Sequence, residues 1–104
     1  MIKIFRGDSK TIKVSVTNNG EVMDLTGYTA KLTVKASEKD TDYLMQVEVP
    51  NIANPTAGII VFNLSPTDTD IAPGRHLYDV EIRKDPNLVH TVAIGEFIVK
   101  WDVG

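Results

Sequence analysis

Apolar and polar positions alternate along most of this chain. Ile12, Val14 and Val16 fall two apart, as do Tyr28, Ala30, Leu32 and Val34. Met45, Val47 and Val49 repeat the pattern, followed by Ile60, Phe62 and Leu64. Tyr78, Val80 and Ile82 form the next set, then Val92 and Ile94, then Phe97, Val99 and Trp101. A period of two places each set on one face of a strand, with Lys, Thr, Ser, Asp and Glu on the other. A helix would repeat at three and four, and no long segment does so. The pattern predicts an all-β chain.

Turn chemistry separates these runs. Asn18-Asn19-Gly20-Glu21 is a hairpin signal, because Asn and Gly accept the positive φ of tight turns. Lys84-Asp85-Pro86-Asn87-Leu88 stands between two alternating runs and predicts a second hairpin. Residues 51–58 form a longer loop, and 37–43 is the most charged one. In residues 65–74, Ser65 is placed to cap a helical turn, with Pro66 at its first position and Asp68 three residues on. One short helical turn is expected near 66–71, stopped by Pro73-Gly74. Across Gly95 the apolar parity switches from even to odd, which predicts a β-bulge at that glycine.

About seven strands with a turn roughly every ten residues point to an antiparallel two-sheet immunoglobulin-like β-sandwich. A closed barrel is the alternative. The Cys-Trp-Cys signature is missing, so "immunoglobulin-like" describes architecture only. At 104 residues the chain is expected to form a single β-sandwich domain, 1–104.

Composition narrows the chemistry. There is no cysteine, which removes a disulfide scaffold, a thiolate metal site and a cysteine nucleophile. Eleven basic against fourteen acidic residues give a net charge of −3, with both signs dispersed and no basic stripe for a phosphate backbone. Nucleic acid is therefore not an expected partner. The longest apolar run is far short of the ~20 residues needed to span a bilayer, and the opening "MIKIF" lacks the pattern of an export leader. Neither a membrane nor a cofactor is expected.

One short stretch spells two familiar words. Arg6-Gly7-Asp8-Ser9 matches the tetrapeptide read by cell-adhesion receptors, and Gly7-Asp8-Ser9 begins like the nucleophile block of a family of serine esterases. The esterase block continues with leucine, whereas Lys10 follows here. A serine also needs a nearby base and a positioned acid. The only histidines, His76 and His90, are expected about six ladder positions apart, roughly 20 Å at ~3.3 Å per residue. No catalytic residue is assigned. An adhesive word needs a flexible, exposed loop tip, but this one lies between two strand-like runs, where Gly7-Asp8 suits a tight turn. Asp40 and Asp42, like Asp68 and Asp70, have a spacing sometimes seen in calcium loops. Neither run has the third ligand, glycine turn and distal glutamate of such a loop, so no metal site is assigned.

Two apolar features remain. Trp101 closes the last alternating run and reads as core. Ile2 and Ile4 share one face of the first strand while Phe5 points to the other. A short strand apolar on both faces makes Ile2, Ile4 and Phe5 a candidate interface.

The blocks "GDSKTIKVSV", "DLTGYTAKLTVK", "AGIIVFNLSPTDTDIAPGRHLYDVEI" and "TVAIGEFIVKWDV" come in an order that resembles small β-sandwich domains of phage tails and baseplates. The resemblance is closest to the N-terminal domain of the baseplate upper protein family from phages and prophages of Gram-positive bacteria. It covers nearly the whole chain, and Asp24-Leu25-Thr26-Gly27-Tyr28 with Gly7-Asp8 and Gly95 is its most specific element. In that family these residues shape turns and bulges, and Leu25 is expected to tuck inward. Proteins of the family continue into helical and further segments that carry a receptor-binding protein.

The resemblance implies a non-enzymatic virion structural protein, made in the bacterial host cytoplasm. It would act in a tail or baseplate through contacts with other virion proteins, as a homo-oligomer in the assembled particle. Other classes fit less well: a host-surface adhesion or carbohydrate-binding module, and a capsid decoration protein.

Overall fold

The computed structural model describes residues 1–37, 39–85 and 87–101. Nine strands account for most of them. In chain order they are β1 (Ile2–Phe5), β2 (Lys10–Ser15), β3 (Thr17–Asn18), β4 (Glu21–Val22) and β5 (Thr29–Lys35), then β6 (Met45–Val49), β7 (Ile59–Leu64), β8 (Gly74–Asp85) and β9 (Leu88–Lys100). A single 3-10 turn, Pro55–Ala57, precedes β7. The all-β expectation therefore holds. The count exceeds seven because β3 and β4 are a two-residue hairpin, closed at Asn19-Gly20 with φ of 54° and 80°. Positive φ at both central residues is the hairpin geometry that matches strand twist.

Five strands form one sheet in the order β1-β9-β8-β5-β6, while β2 pairs with β7 and β3 with β4 in two small sheets. The order leaves β1 and β6 as open edges, so the large sheet is not a closed barrel. One expectation needs correcting: the large sheet is mixed. β1 runs parallel to β9, pairing Ile2 with Phe97 and Phe5 with Lys100. A parallel pair needs a long crossover, and here almost the entire chain supplies it.

The alternating positions become one shared core. Ala30, Leu32 and Val34 of β5, Val80 and Ile82 of β8, and Phe97 and Val99 of β9 are buried on the inner face of the large sheet. Ile12 of β2 and Ile60, Phe62 and Leu64 of β7 join the same cluster, with Ile4 and Leu25. Each fully buried Phe, Leu or Ile side chain stabilises the fold by about 1.5–3 kcal/mol relative to exposure.

The predicted bulge exists, but three residues earlier. β8 and β9 pair as Val80–Ala93 and then Glu81–Thr91, so Val92 is the extra residue, and a second register shift falls between Arg83 and Asp85. Gly95 sits in regular register opposite Tyr78, and an added Cβ would lie 2.9 Å from the Tyr78 ring. Glycine is needed there for ring packing, not for a kink. Moving the bulge to Val92 puts Ile94 on the outer face of the sheet, where it is 76% exposed. The shifts also place His76 opposite Phe97, with Glu96 opposite Leu77. Pro86 lies outside the described residues, but the hairpin it was expected to turn is present, with Asp85 opposite Leu88.

The stretch after β7 forms one capped turn rather than a helix. The Ser65 hydroxyl accepts the Asp68 N–H at 3.1 Å, and Asp68 Oδ2 accepts the Ser65 N–H at 2.8 Å. This is the reciprocal capping box read from Ser65 and Asp68. The Thr69 N–H then reaches the Ser65 carbonyl at 3.2 Å.

Gly58, at φ 65°, ends the 3-10 turn and fixes the small hairpin. Its carbonyl accepts the Val16 N–H at 2.7 Å. An added Cβ would lie 2.7 Å from Val22 Cγ1 and 2.9 Å from each of the Met23 and Val16 carbonyl oxygens. No side chain fits.

Candidate functional site

Arg6-Gly7-Asp8-Ser9 is a docked turn. The Asp8 N–H donates to the Phe5 carbonyl at 3.1 Å, and Gly7 supplies the φ of 83° that the third position of such a turn requires. Asp8 thus satisfies the turn through its backbone, not through its carboxylate. The capped turn at 65–70 holds this stretch from the other side. The Gly7 N–H donates to the Thr69 carbonyl at 3.3 Å, and the Thr69 hydroxyl donates to the Asp8 carbonyl at 2.7 Å.

Thr69 is fully buried, although a hydroxyl rarely is without such a partner. Arg6 Nε donates to Asp70 Oδ1 at 2.9 Å, and its guanidinium lies 5.5 Å from the centre of the Trp101 ring. Both members of the ion pair are exposed, so the pair adds at most about 1 kcal/mol. Asp70 serves this pair and Asp68 the capping box, which gives each member of that Asp-x-Asp run a protein partner. Asp40 and Asp42 stay in an exposed loop. Among the described residues no group of three or more His, Asp or Glu is placed to hold a metal ion.

Trp101 is not core. It lies just past the end of β9 and is 66% exposed. Its odd parity matched Phe97 and Val99, but parity carries no information about where a core ends. The histidines are separated as expected, with His90 opposite Ile82, six residues along β8 from His76. His76 is buried and its Nε2 lies 2.7 Å from the Ala72 carbonyl, which makes that nitrogen the N–H donor. Ser9 is exposed in the loop before β2.

Asp24-Leu25-Thr26-Gly27-Tyr28 forms the tight connection expected of it. One carboxylate oxygen of Asp24 accepts both the hydroxyl and the N–H of Thr26, at 2.6 and 2.9 Å. These bonds, the hydroxyl first, hold the Asp24 carboxyl below its ordinary value, with a smaller contribution from the Lys84 charge. Leu25 is fully buried and its N–H reaches the Pro55 carbonyl at 2.8 Å.

The candidate interface of β1 divides between two faces. Ile4 is in the core and Ile2 packs against it, whereas Phe5 points outward at 49% exposure. Phe5 shares the outer face of the large sheet with Ile98, Ile94 and Leu77. Around Leu77 and Ile94 this face has a depression of about 350 Å³, walled by Thr33, Lys35, Asp79 and Glu96. Sequence reasoning missed this surface because the bulge at Val92 hid the orientation of Ile94.

Pinned turns, a capping box and an open apolar sheet face define a small β-rich module. The family model for the BppU N-terminal domain, the N-terminal domain of the baseplate upper protein, matches residues 1–100. The chain belongs to that family. No curated protein matches it closely enough to count as a relative. Membership suggests a structural role in a phage baseplate, location in the virion and interaction with other virion proteins.

Proposed function

We propose that this domain is a non-enzymatic adaptor of a phage tail or baseplate, working through protein–protein contacts and present in several copies per particle. The observation that supports this reading is the family match over residues 1–100, which includes the turn-forming Gly7-Asp8 and Asp24 to Tyr28. We read the two apolar layers that meet in one core as a reduced immunoglobulin-like sandwich, a scaffold on which exposed strands and loops vary without disturbing the core. In the candidate interface the part available for contact is Phe5.

The test is capture on the tagged domain from a lysate of phage-infected cells, with the retained proteins identified by mass spectrometry. Tail or baseplate proteins are expected. Capsid proteins alone would instead indicate a decoration protein, and host envelope proteins alone an adhesion module. A carbohydrate-binding reading draws on exposed Trp101 and Tyr43, because sugar rings stack on accessible aromatic faces. Binding to a glycan array that disappears in Trp101→Ala would favour it over the adaptor role.

A further inference from the structure

The hairpin of β3 and β4 carries a chemistry that its turn both invites and restrains. An asparagine side-chain carbonyl can be attacked by the backbone nitrogen of the following residue, closing a five-membered ring. The attack needs an N–H on that residue, no bulky side chain beside it, and no ladder bond holding it. The chain has six asparagines. Asn54 precedes Pro55, which has no N–H. Asn63 precedes Leu64, buried in β7 and paired with Lys10. Asn18, Asn51 and Asn87 precede Asn19, Ile52 and Leu88, each with a side chain that crowds the nitrogen.

Asn19 meets all three conditions. Gly20 has no side chain, and an added Cβ there would meet nothing within 4 Å, so the space around it is open. Among the described residues the Gly20 N–H donates to no backbone carbonyl, because the ladder pairs Asn18 with Glu21 and Thr17 with Val22. Asn19 and Gly20 are both exposed.

The folded turn nonetheless holds the reaction back. Asn19 has φ 54°, and a left-handed residue has ψ of about +47°. At that ψ the Gly20 nitrogen stands anti to the Asn19 Cβ across the Cα–C bond, out of reach of the side-chain carbonyl. Ring closure therefore requires the tip of the hairpin to open. Little opposes that: β3 and β4 have two residues each, all exposed, and pair with no other strand. An isolated two-stranded hairpin is marginally stable in water. The base is fixed separately, by the Met23 N–H on the Val16 carbonyl at 3.0 Å, so the tip can open alone.

We infer that Asn19 is a site of spontaneous modification, gated by opening of the β3–β4 hairpin. The Gly20 nitrogen gives its proton to solvent and bonds to Asn19 Cγ. The Cγ–Nδ2 bond breaks, and the amide nitrogen takes up a proton and leaves as ammonia. Water then opens the ring. Addition at Cγ gives aspartate, and addition at the main-chain carbonyl carbon gives isoaspartate, whose main chain runs through Cβ and Cγ. The sum is one water consumed and one ammonia released, with no change of oxidation state.

The two products differ in consequence. Aspartate keeps the turn, since Asp-Gly suits the same geometry, and adds a carboxylate close to Glu21 in sequence. Isoaspartate adds a carbon to the main chain of a two-residue turn, so the hairpin does not re-form and Val22 leaves its place beside Gly58.

This inference goes beyond the adaptor reading and does not depend on it. Its test is to hold the purified domain at physiological temperature and pH. Intact mass, peptide mapping and methylation by an isoaspartyl methyltransferase then follow the amides. Loss at Asn19 is expected ahead of the other five asparagines, with isoaspartate at that position. Asn19→Gly, which keeps the turn, should give no isoaspartate there. In unfolding urea the loss should run roughly 5–30-fold faster, the factor that corresponds to about 1–2 kcal/mol of hairpin opening.

NMR shifts of β3 and β4 should become coil-like in the isoaspartate form and stay hairpin-like in Asn19→Asp. That contrast assigns the effect to the longer main chain and not to the added charge. Earlier loss at another asparagine, equal rates in buffer and urea, or an isoaspartate form that keeps the hairpin shifts would each overturn the inference.

Discussion

Gly7 and Gly58 have nearly the same left-handed backbone, with φ of 83° and 65°, but different surroundings. An added Cβ at Gly7 meets nothing within 4 Å. At Gly58 it would meet two backbone oxygens and Val22 Cγ1, all at 2.9 Å or less. Replacing either by Ala costs about 1–2 kcal/mol for the left-handed conformation, offset by about 0.4–1 kcal/mol from a stiffer unfolded chain. Gly7→Ala should therefore destabilise by about 1 kcal/mol.

Gly58→Ala adds an overpacking cost of about 1–3 kcal/mol, since two of the three atoms its Cβ meets belong to the backbone. The Val16 carbonyl accepts the Met23 N–H at 3.0 Å, and the Val16 N–H is held by Gly58 itself. Urea unfolding followed by circular dichroism measures the difference directly. With a slope of about 1–1.5 kcal/mol/M for a domain of this size, the Gly58→Ala midpoint should lie about 1 M or more below that of Gly7→Ala. Coincident midpoints would refute the assignment of Gly58 as the clamp between the 3-10 turn and the small hairpin.

Four further outcomes follow from the same structure. Thr69→Val should lower stability by about 1–3 kcal/mol, because the Asp8 carbonyl loses its donor at a buried site, and Thr69→Ser should recover most of that loss in the same assay. Gly95→Ala should destabilise through the Tyr78 ring, and the effect should shrink in a Tyr78→Leu background, as a double-mutant cycle would show. Asp24 has a depressed pKa, so its contribution is present above the ordinary aspartate value of 3.8 and is lost as pH falls through the lowered folded value. Unfolding midpoints between pH 2 and 5 should show this step in the wild type and not in Asp24→Asn. Asp8→Glu, a change that adhesion receptors do not tolerate, should leave capture of virion proteins unchanged.

Strand content and most core positions were legible because burial on one face writes a period of two directly into the residues. The capping box at Ser65 and Asp68 and the Asn19-Gly20 hairpin were legible for a related reason: their geometry depends on side chains a few positions apart. Long-range features were not. The parallel placement of β1 beside β9 is a choice among edges that no local pattern encodes.

The bulge at Val92 was misassigned because a parity switch marks an interval, not a residue. Glycine is the usual suspect within such an interval, and here it served an aromatic ring on the neighbouring strand. Trp101 misled for a third reason: parity says which face a residue is on, but not whether anything covers that face. Of the apolar side chains on the outer sheet face, Phe5 follows from alternation alone, while the orientation of Ile94 and Leu77 required the register.

The parallel β1–β9 pair has a kinetic meaning. It joins Ile2 to Phe97, so it closes a loop of nearly the full chain length, whereas the β8–β9 and β3–β4 hairpins close over a few residues. Contacts of such separation form after shorter-range ones have ordered the chain between them. β1 is therefore expected to dock last and to release first, as an edge strand of four residues held on one side only. Each release bares the flank of β9 and frees Ile4 from the core. Amide exchange in β1 would report that opening, well before the rest of the sheet gives way.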